Sequence, residues 1–146
     1  MSFTNSAETA FLELLFNNVD WTNIGDAGGI LQSASPGSLY VSLHTASPGE
    51  AGDQTTNECA YTGYARVAVA RSAAGWTVSG NVVDNFAAIT FPACTAGPEV
   101  ATHWGIGTDA AGAGNLLIYG ALTVAFSVII GIAPEFPAGD LDISAD

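Results

Sequence analysis

The stretch Ala34-Ser35-Pro36-Gly37-Ser38-Leu39-Tyr40-Val41-Ser42-Leu43-His44-Thr45-Ala46-Ser47-Pro48-Gly49 decides how this chain folds. The unit Ala-Ser-Pro-Gly closes it at both ends. Pro fixes φ and Gly accepts a positive φ, so Pro-Gly suits the centre of a type II turn. Between the turns, Leu39, Val41 and Leu43 alternate with polar residues and share one face. That is the pattern of a half-buried strand. The same reading extends outward. In Tyr64–Arg71, Val67 and Val69 point inward while Arg66, Ala68 and Ala70 point out. Trp76–Val78 follows Gly75 as a short strand. Val82–Phe91 places Ile89 and Phe91 together, and Val100–Ile106 groups Val100, Trp104 and Ile106. Leu116–Tyr119, Leu122–Ile130 and Leu141–Ile143 complete the series. About eight short strands at this spacing predict an all-β fold, a jelly-roll-like β-sandwich.

One helix is expected, over residues 6–17. Ser6 is its N-cap candidate, with Glu8 and Thr9 in the first turn. Phe11, Leu12, Leu14, Leu15 and Phe16 form an apolar stripe that ends at Asn17-Asn18. The helix either caps the domain's own core or docks a neighbouring subunit. Residues 18–38 read as a loop, and 39–146 as the sandwich of a single domain. Residues 50–62, rich in Gly, Asp, Gln, Thr and Asn, read as an exposed loop.

Composition narrows the function classes. Charged residues make up 11% of the 146, against about 25% in an ordinary soluble domain. Lysine is absent, and Arg66 and Arg71 face 14 carboxylates, for a formal charge of −12. Hydrophobic residues make up 49%, and mean hydropathy is +0.35. Disorder needs low hydrophobicity as well as charge, so it is excluded. Two arginines cannot supply the counterion release that drives nucleic-acid binding. An anionic membrane surface repels such a chain. The start, Met1–Glu8, has no basic residue ahead of an apolar run, so no secretory signal is read there and synthesis in the cytoplasm is expected. The uncharged run Leu116–Ala133 is long enough to raise the question of a membrane span. Without flanking Lys or Arg, and interrupted by Gly120, Thr123, Ser127 and Gly131, it reads instead as two consecutive buried strands.

No residue pattern carries catalysis. There is no GxSxG elbow, phosphate loop or HExxH pair. His44 and His103 read as half-exposed strand histidines, although a Ser–His or His–Cys pair can form in space. Cys59 and Cys94 lack zinc spacing and read as small buried thiols. Asp140 and Asp142 read as the solvent face and guard of the last strand. No enzyme, metal or cofactor is expected. Arg66 and Arg71 either pair with local carboxylates or serve an interface, where Arg is enriched. Trp104 reads as core. Trp21 and Trp76 read as surface residues, able to anchor an interface or a sugar. The partner-binding candidates are therefore Phe11, Leu15, Trp21, Arg66, Arg71 and Trp76.

Several ordered motifs resemble a family of small tailed-bacteriophage virion proteins, often labelled tail-fibre or minor structural proteins. They are Leu39–Gly52, Gly63-Tyr64-Ala65-Arg66-Val67-Ala68-Val69, Ile89-Thr90-Phe91-Pro92, Thr102-His103-Trp104-Gly105-Ile106-Gly107, Asn115–Leu122 and Ala138–Ile143. Trp104 stands where the family pattern has Phe, and Val124–Ile132 is more apolar than its variable segment. The resemblance implies a virion structural protein. Combined with the acidic, weakly hydrated composition, it leads to a capsid decoration (cement) protein on the outer shell. Its expected partners are the major capsid protein and further copies of itself, as a dimer or trimer. The alternative is a tail or tail-fibre component, an adaptor or a receptor- or glycan-binding module.

Overall fold

The computed structural model describes residues 2–25 and 28–145. Asp26 and Ala27, within the expected 18–38 loop, lie outside the described residues, as do the two terminal residues. In chain order the elements are α1 (Asn5–Asn17), β1 (Ser38–His44), β2 (Val67–Ala70), β3 (Trp76–Ser79), β4 (Val82–Asn85), β5 (Ile89–Thr90), β6 (Glu99–Gly107), β7 (Leu116–Val128), β8 (Glu135–Phe136) and β9 (Ile143–Ser144). The sheet orders are β2-β1-β6-β7, β3-β4-β9 and β5-β8. The all-β class with a single N-terminal helix holds, with nine strands among the described residues.

The chain forms two compact units. The first comprises Met1–Ser38, Val69–Ile89 and Phe136–Asp146, and the second Leu39–Ala68 and Thr90–Glu135.

In the first unit, α1 packs on β3 and β4. Thr4, not Ser6, is the N-cap. Its extended backbone lets its carbonyl accept from the N–H groups of Ala7 and Glu8 at 2.8 and 3.0 Å, which leaves Ser6 inside the first turn. Only Glu8, Leu12 and Phe16 of the helix are buried, one every fourth residue. Trp76 is fully buried with its ring edge-on to Phe16, 4.9 Å between centroids. The surface position expected for Trp76 is thus corrected. Polar neighbours in sequence say nothing about the helix that covers it. Asn18 ends α1 in the left-handed region, and its side-chain amide pairs with both backbone groups of Ser33 at 2.8 and 2.9 Å. This amide clasp ties down the start and the end of the Gly-rich loop. The Asp84 carboxyl lies above the usual carboxylate range, chiefly because it shares a hydrogen bond with the Asp142 carboxyl.

In the second unit, β1 pairs antiparallel with β6, and β6 with β7. Gly37 and Gly49 both take positive φ, 68° and 71°, as the Pro-Gly turns require. Leu39, Val41 and Leu43 are buried with Trp104 and Ile106. The paired strand opposite Trp104 carries Gly120. A Cβ there would lie 2.7 Å from the indole ring, so the glycine makes room for the tryptophan. Val100 does not join this group and is exposed. Between Ala101 and His103 the register slips, with Phe126 opposite the first and Ala121 opposite the second. A slip reverses which side chains face the core, and it turns Val100 outward. The two expected strands of 116–130 are one continuous strand, β7, at the sheet edge. Most of it is exposed or half-exposed, and only Val128 is buried. The expectation of two buried strands is corrected, because an edge strand has one flank and one face left uncovered.

Candidate functional site

Two features of the second unit stand out, and each reverses its hydropathy. The first is a polar cluster beneath residues 45–62. Gln54, Cys59 and Tyr61 are buried, so the exposed loop expected at 50–62 is in part packed. His44 is also fully buried, not half-exposed. Its Nδ1 lies 2.9 Å from the Thr56 carbonyl, which can only accept. Nδ1 therefore carries the proton, and bare Nε2 accepts from the Ser42 hydroxyl at 2.8 Å. Burial holds the His44 pKa below its ordinary value. This Ser–His pair is sealed from solvent.

Arg66, expected to point outward, has a side chain only 2% exposed. Its guanidinium grips Glu58 with two hydrogen bonds, Nε to Oε1 at 2.6 Å and Nη2 to Oε2 at 2.7 Å. Nη1 donates to the Asp109 carbonyl and Nη2 to that of Gly112, both at 2.8 Å. The fork geometry of arginine allows this division of donors. Tyr64 Oη donates to Glu58 Oε1 and accepts from the Leu43 N–H. Burial, and then the Glu58 charge, push the Tyr64 phenol upward. Gln54 closes the cluster. Its amide exchanges two bonds with the Asp109 backbone, and its own N–H donates to Ala113. Gly107 makes room for it, since a Cβ there would fall within 2.5 Å of the Gln54 side chain. Burial, followed by Glu99 and Glu58, pushes the Cys59 thiol up to about 12. Such a thiol is inert at neutral pH.

The second feature is apolar. Val124 is 74% exposed, and Leu117 and Val100, towards opposite ends of the β6–β7 ladder, are exposed as well. β7 then runs into a tight turn, Ile129-Ile130-Gly131-Ile132, closed by Ile132 N–H donating to the Ile129 carbonyl at 3.0 Å. Gly131 takes φ 87°. Cys94 exchanges two more backbone bonds with this turn, through the Ile132 carbonyl and the Gly131 N–H. All three isoleucines are exposed, Ile130 by 66%. Turn tips ordinarily carry Gly, Pro, Asn, Asp or Ser. This one presents isoleucines on a rigid backbone.

Residues 2–144 match the family model described as podophage GP4 fiber I protein gp80. The chain belongs to this family. The gp80 fibre family is one of phage virion structural proteins, and the β-rich fold accords with it. Among curated protein sequences, none matches the chain significantly.

The gp80-family chain scatters the residues that its sequence singled out. Arg66 lies in the second unit; Phe11, Leu15, Trp21, Arg71 and Trp76 lie in the first. Phe11 is 39% exposed, Leu15 and Trp21 are half-buried, and Trp76 is core. Trp21 pairs its backbone with Ile30 through two bonds of 2.9 Å. Among the described residues, Arg71 meets no carboxylate. It donates to the carbonyls of Leu14, Leu15 and Pro36 and to the Ser33 hydroxyl, satisfying the C-terminal end of α1. Sequence reasoning missed Glu58, Tyr64, Gln54, Val124 and the isoleucine turn. The isoleucines around Gly131 were a legible signal, because a turn glycine flanked by aliphatics is unusual. The Glu58–Arg66 pair meets the expectation that Arg66 pairs with a local carboxylate, although the sequence did not say which one. No helix among the described residues is long and apolar enough to cross a membrane. No group of three or more metal-ligating side chains occurs among them.

Proposed function

We propose that this chain is a structural building block of a phage fibre, acting through protein–protein contact and not through catalysis. The exposed apolar edge of β7 with its isoleucine turn carries this reading. A folded domain rarely leaves its most apolar run in water unless a partner covers it. Covering it gains about 25 cal/mol for each Å² of apolar surface removed from water, and no ion in the strand must be dehydrated. The formal charge of −12 keeps free subunits soluble and away from DNA. The sealing of Ser42 and His44 from solvent also favours a non-catalytic role.

The lysine-free, acidic composition favours a second reading, a capsid decoration protein bridging major capsid proteins on the outer shell. Bridging then stabilises the closed shell, because its binding free energy exists only there. Quantitative mass spectrometry and immunogold labelling of purified virions separate the two. A copy number far below that of the major capsid protein, with label on projecting fibres, supports the fibre reading. A copy number near that of the capsid protein, with label over the shell, overturns it in favour of decoration. Absence from virions overturns both.

A further inference from the structure

We propose that Asp84 and Asp142 form an acid-closed latch on the C-terminal strand: a proton held between them ties β9 to β4, and its loss as the pH rises loosens that strand. The latch is independent of the fibre reading. Three observations carry it. The first is register. β4 and β9 pair antiparallel through Val82 with Ser144 and Val83 with Ile143. One further step along both strands sets Asp84 opposite Asp142, and their carboxyl groups meet at hydrogen-bond range. Like charges directly opposite each other on a sheet repel. Two carboxyl groups in contact hold one proton between them more readily than they hold two negative charges.

The second observation is an orphan oxygen. Asp84 Oδ1 is sealed from solvent, and no donor among the described residues reaches it. A buried acceptor without a donor is costly, and more so when it carries charge. A shared proton supplies the missing donor. No cation does so in its place. On the flanking strand β3 the residue opposite Asp84 is the neutral Thr77. Of the other segments packed against β4 and β9, α1 carries Glu8 and Glu13, and the approach to β9 carries Asp140, all of the same sign. The unit's one basic residue, Arg71, is engaged with carbonyls at the end of α1.

The third observation is how little else holds the strand. β9 comprises only Ile143–Ser144. Asn85 Oδ1 accepts from the N–H groups of Asp140 and Leu141 at 3.1 and 2.9 Å, and the Ala145 N–H donates to the Asn81 carbonyl at 2.9 Å. None of these bonds titrates. Leu141 and Ile143 are buried, so opening the segment takes two core side chains with it. Asp84 keeps its proton to a higher pH than the ordinary 3.8 of the unfolded chain. The stabilisation is therefore complete below 3.8 and is lost as the pH rises through the folded value. His44, in the second unit, acts in the opposite sense, because burial lowers its pKa. Acid thus tightens the C-terminal strand of the first unit while it weakens the core of the second.

Amide hydrogen exchange of the full chain near pH 4 and near pH 7, corrected for the intrinsic exchange rate, tests this. The amides of Leu141 and Ala145 report the latch, and those of Leu12 and Phe16 in α1 report the rest of the same unit. In the wild type the open fraction at Leu141 and Ala145 is expected to be at least about threefold greater near pH 7, beyond any change at the two helix amides. Asp142→Asn, at an exposed position, replaces a charge by an amide able to donate to Asp84. It is expected to bring the open fraction near pH 7 down to the acid value and to abolish the response. Asp84→Asn repeats the test from the other strand. Asp140→Asn makes the same charge change beside the latch and is expected to keep the wild-type response. Equal open fractions at the two pH values in the wild type overturn the proposal, as does a response retained in Asp142→Asn. A response that the helix amides share in full, or that Asp140→Asn removes equally, assigns the effect to general charge and overturns it too.

Discussion

Residues 50–62 and residues 116–132 lie in the same unit and exchange the roles that their compositions announce. The first segment is rich in Gly, Asp, Gln, Thr, Asn and Glu, yet Gln54, Cys59 and Tyr61 are buried in it, and Glu58 holds a sealed arginine. The second is the most apolar run in the chain, yet most of it faces solvent. The difference teaches that burial of a polar segment depends on whether every donor and acceptor finds a partner. Here Glu58, Arg66, Tyr64, Gln54 and His44 satisfy one another and nearby carbonyls, so dehydration is compensated. Exposure of an apolar segment depends on its place in the sheet, and an edge strand has no strand beyond it.

The contrast breaks most severely if the polar cluster loses its cation. Arg66→Met leaves Glu58 desolvated without a counter-charge. It is expected to cost about 3–5 kcal/mol, read by urea denaturation, because breaking one side of a buried pair strands the other. A loss within surface-mutation range would mean that the cluster is wetter than its geometry implies.

A smaller effect sharpens the packing of the loop against the sheet. Gly107→Ala pushes a methyl into Gln54 and is expected to cost about 1–3 kcal/mol by overpacking. In a Gln54→Ala background the same change should cost much less, since the two sites couple through one contact. Additive losses would sink the idea that Gln54 is seated on that glycine.

Protonation provides a gentler probe. The folded pKa of His44 lies below its ordinary 6.5, while the unfolded chain titrates at the ordinary value. Above that pH both states are neutral and His44 contributes no pH dependence. Below it the unfolded state takes up a proton that the folded state refuses. Stability from this group therefore falls as pH drops from about 6.5 towards the folded pKa. The slope of denaturation free energy against pH should shrink in His44→Gln. An unchanged slope would show that the histidine is protonated in place.

The least effect is expected at the apolar edge. Val124→Lys should change folding stability by less than about 0.5 kcal/mol, as for surface substitutions generally. A large loss in the isolated monomer would place Val124 in the core and erase the contrast between the two segments.

Much of the fold was legible in local pattern. The Pro-Gly turns, the alternation of Leu39, Val41 and Leu43, and the single helix follow from steric preference and side-chain period. Those forces act over a few residues, so sequence carries them. The candidate surface was legible only in part. Phe11 is exposed as a docking residue must be, but Trp76 is covered by Phe16. Its neighbours Gly75 and Thr77 gave no sign of a helix sixty positions earlier in the chain. Val100 shares its spacing with Trp104, and only the slip between Ala101 and His103 sends it outward.

By itself the sequence determined the strand-rich class, the helix, the shortage of cations and the uncharged run, because composition and short-range periodicity are properties of neighbours along the chain. The tertiary structure alone decided that Arg66 is sealed against Glu58, that Arg71 serves carbonyls, and that β7 stands at an edge. Those outcomes depend on which strand lies beside which and on where a register slips. Long-range pairing sets both, and the spacing along the chain does not record it.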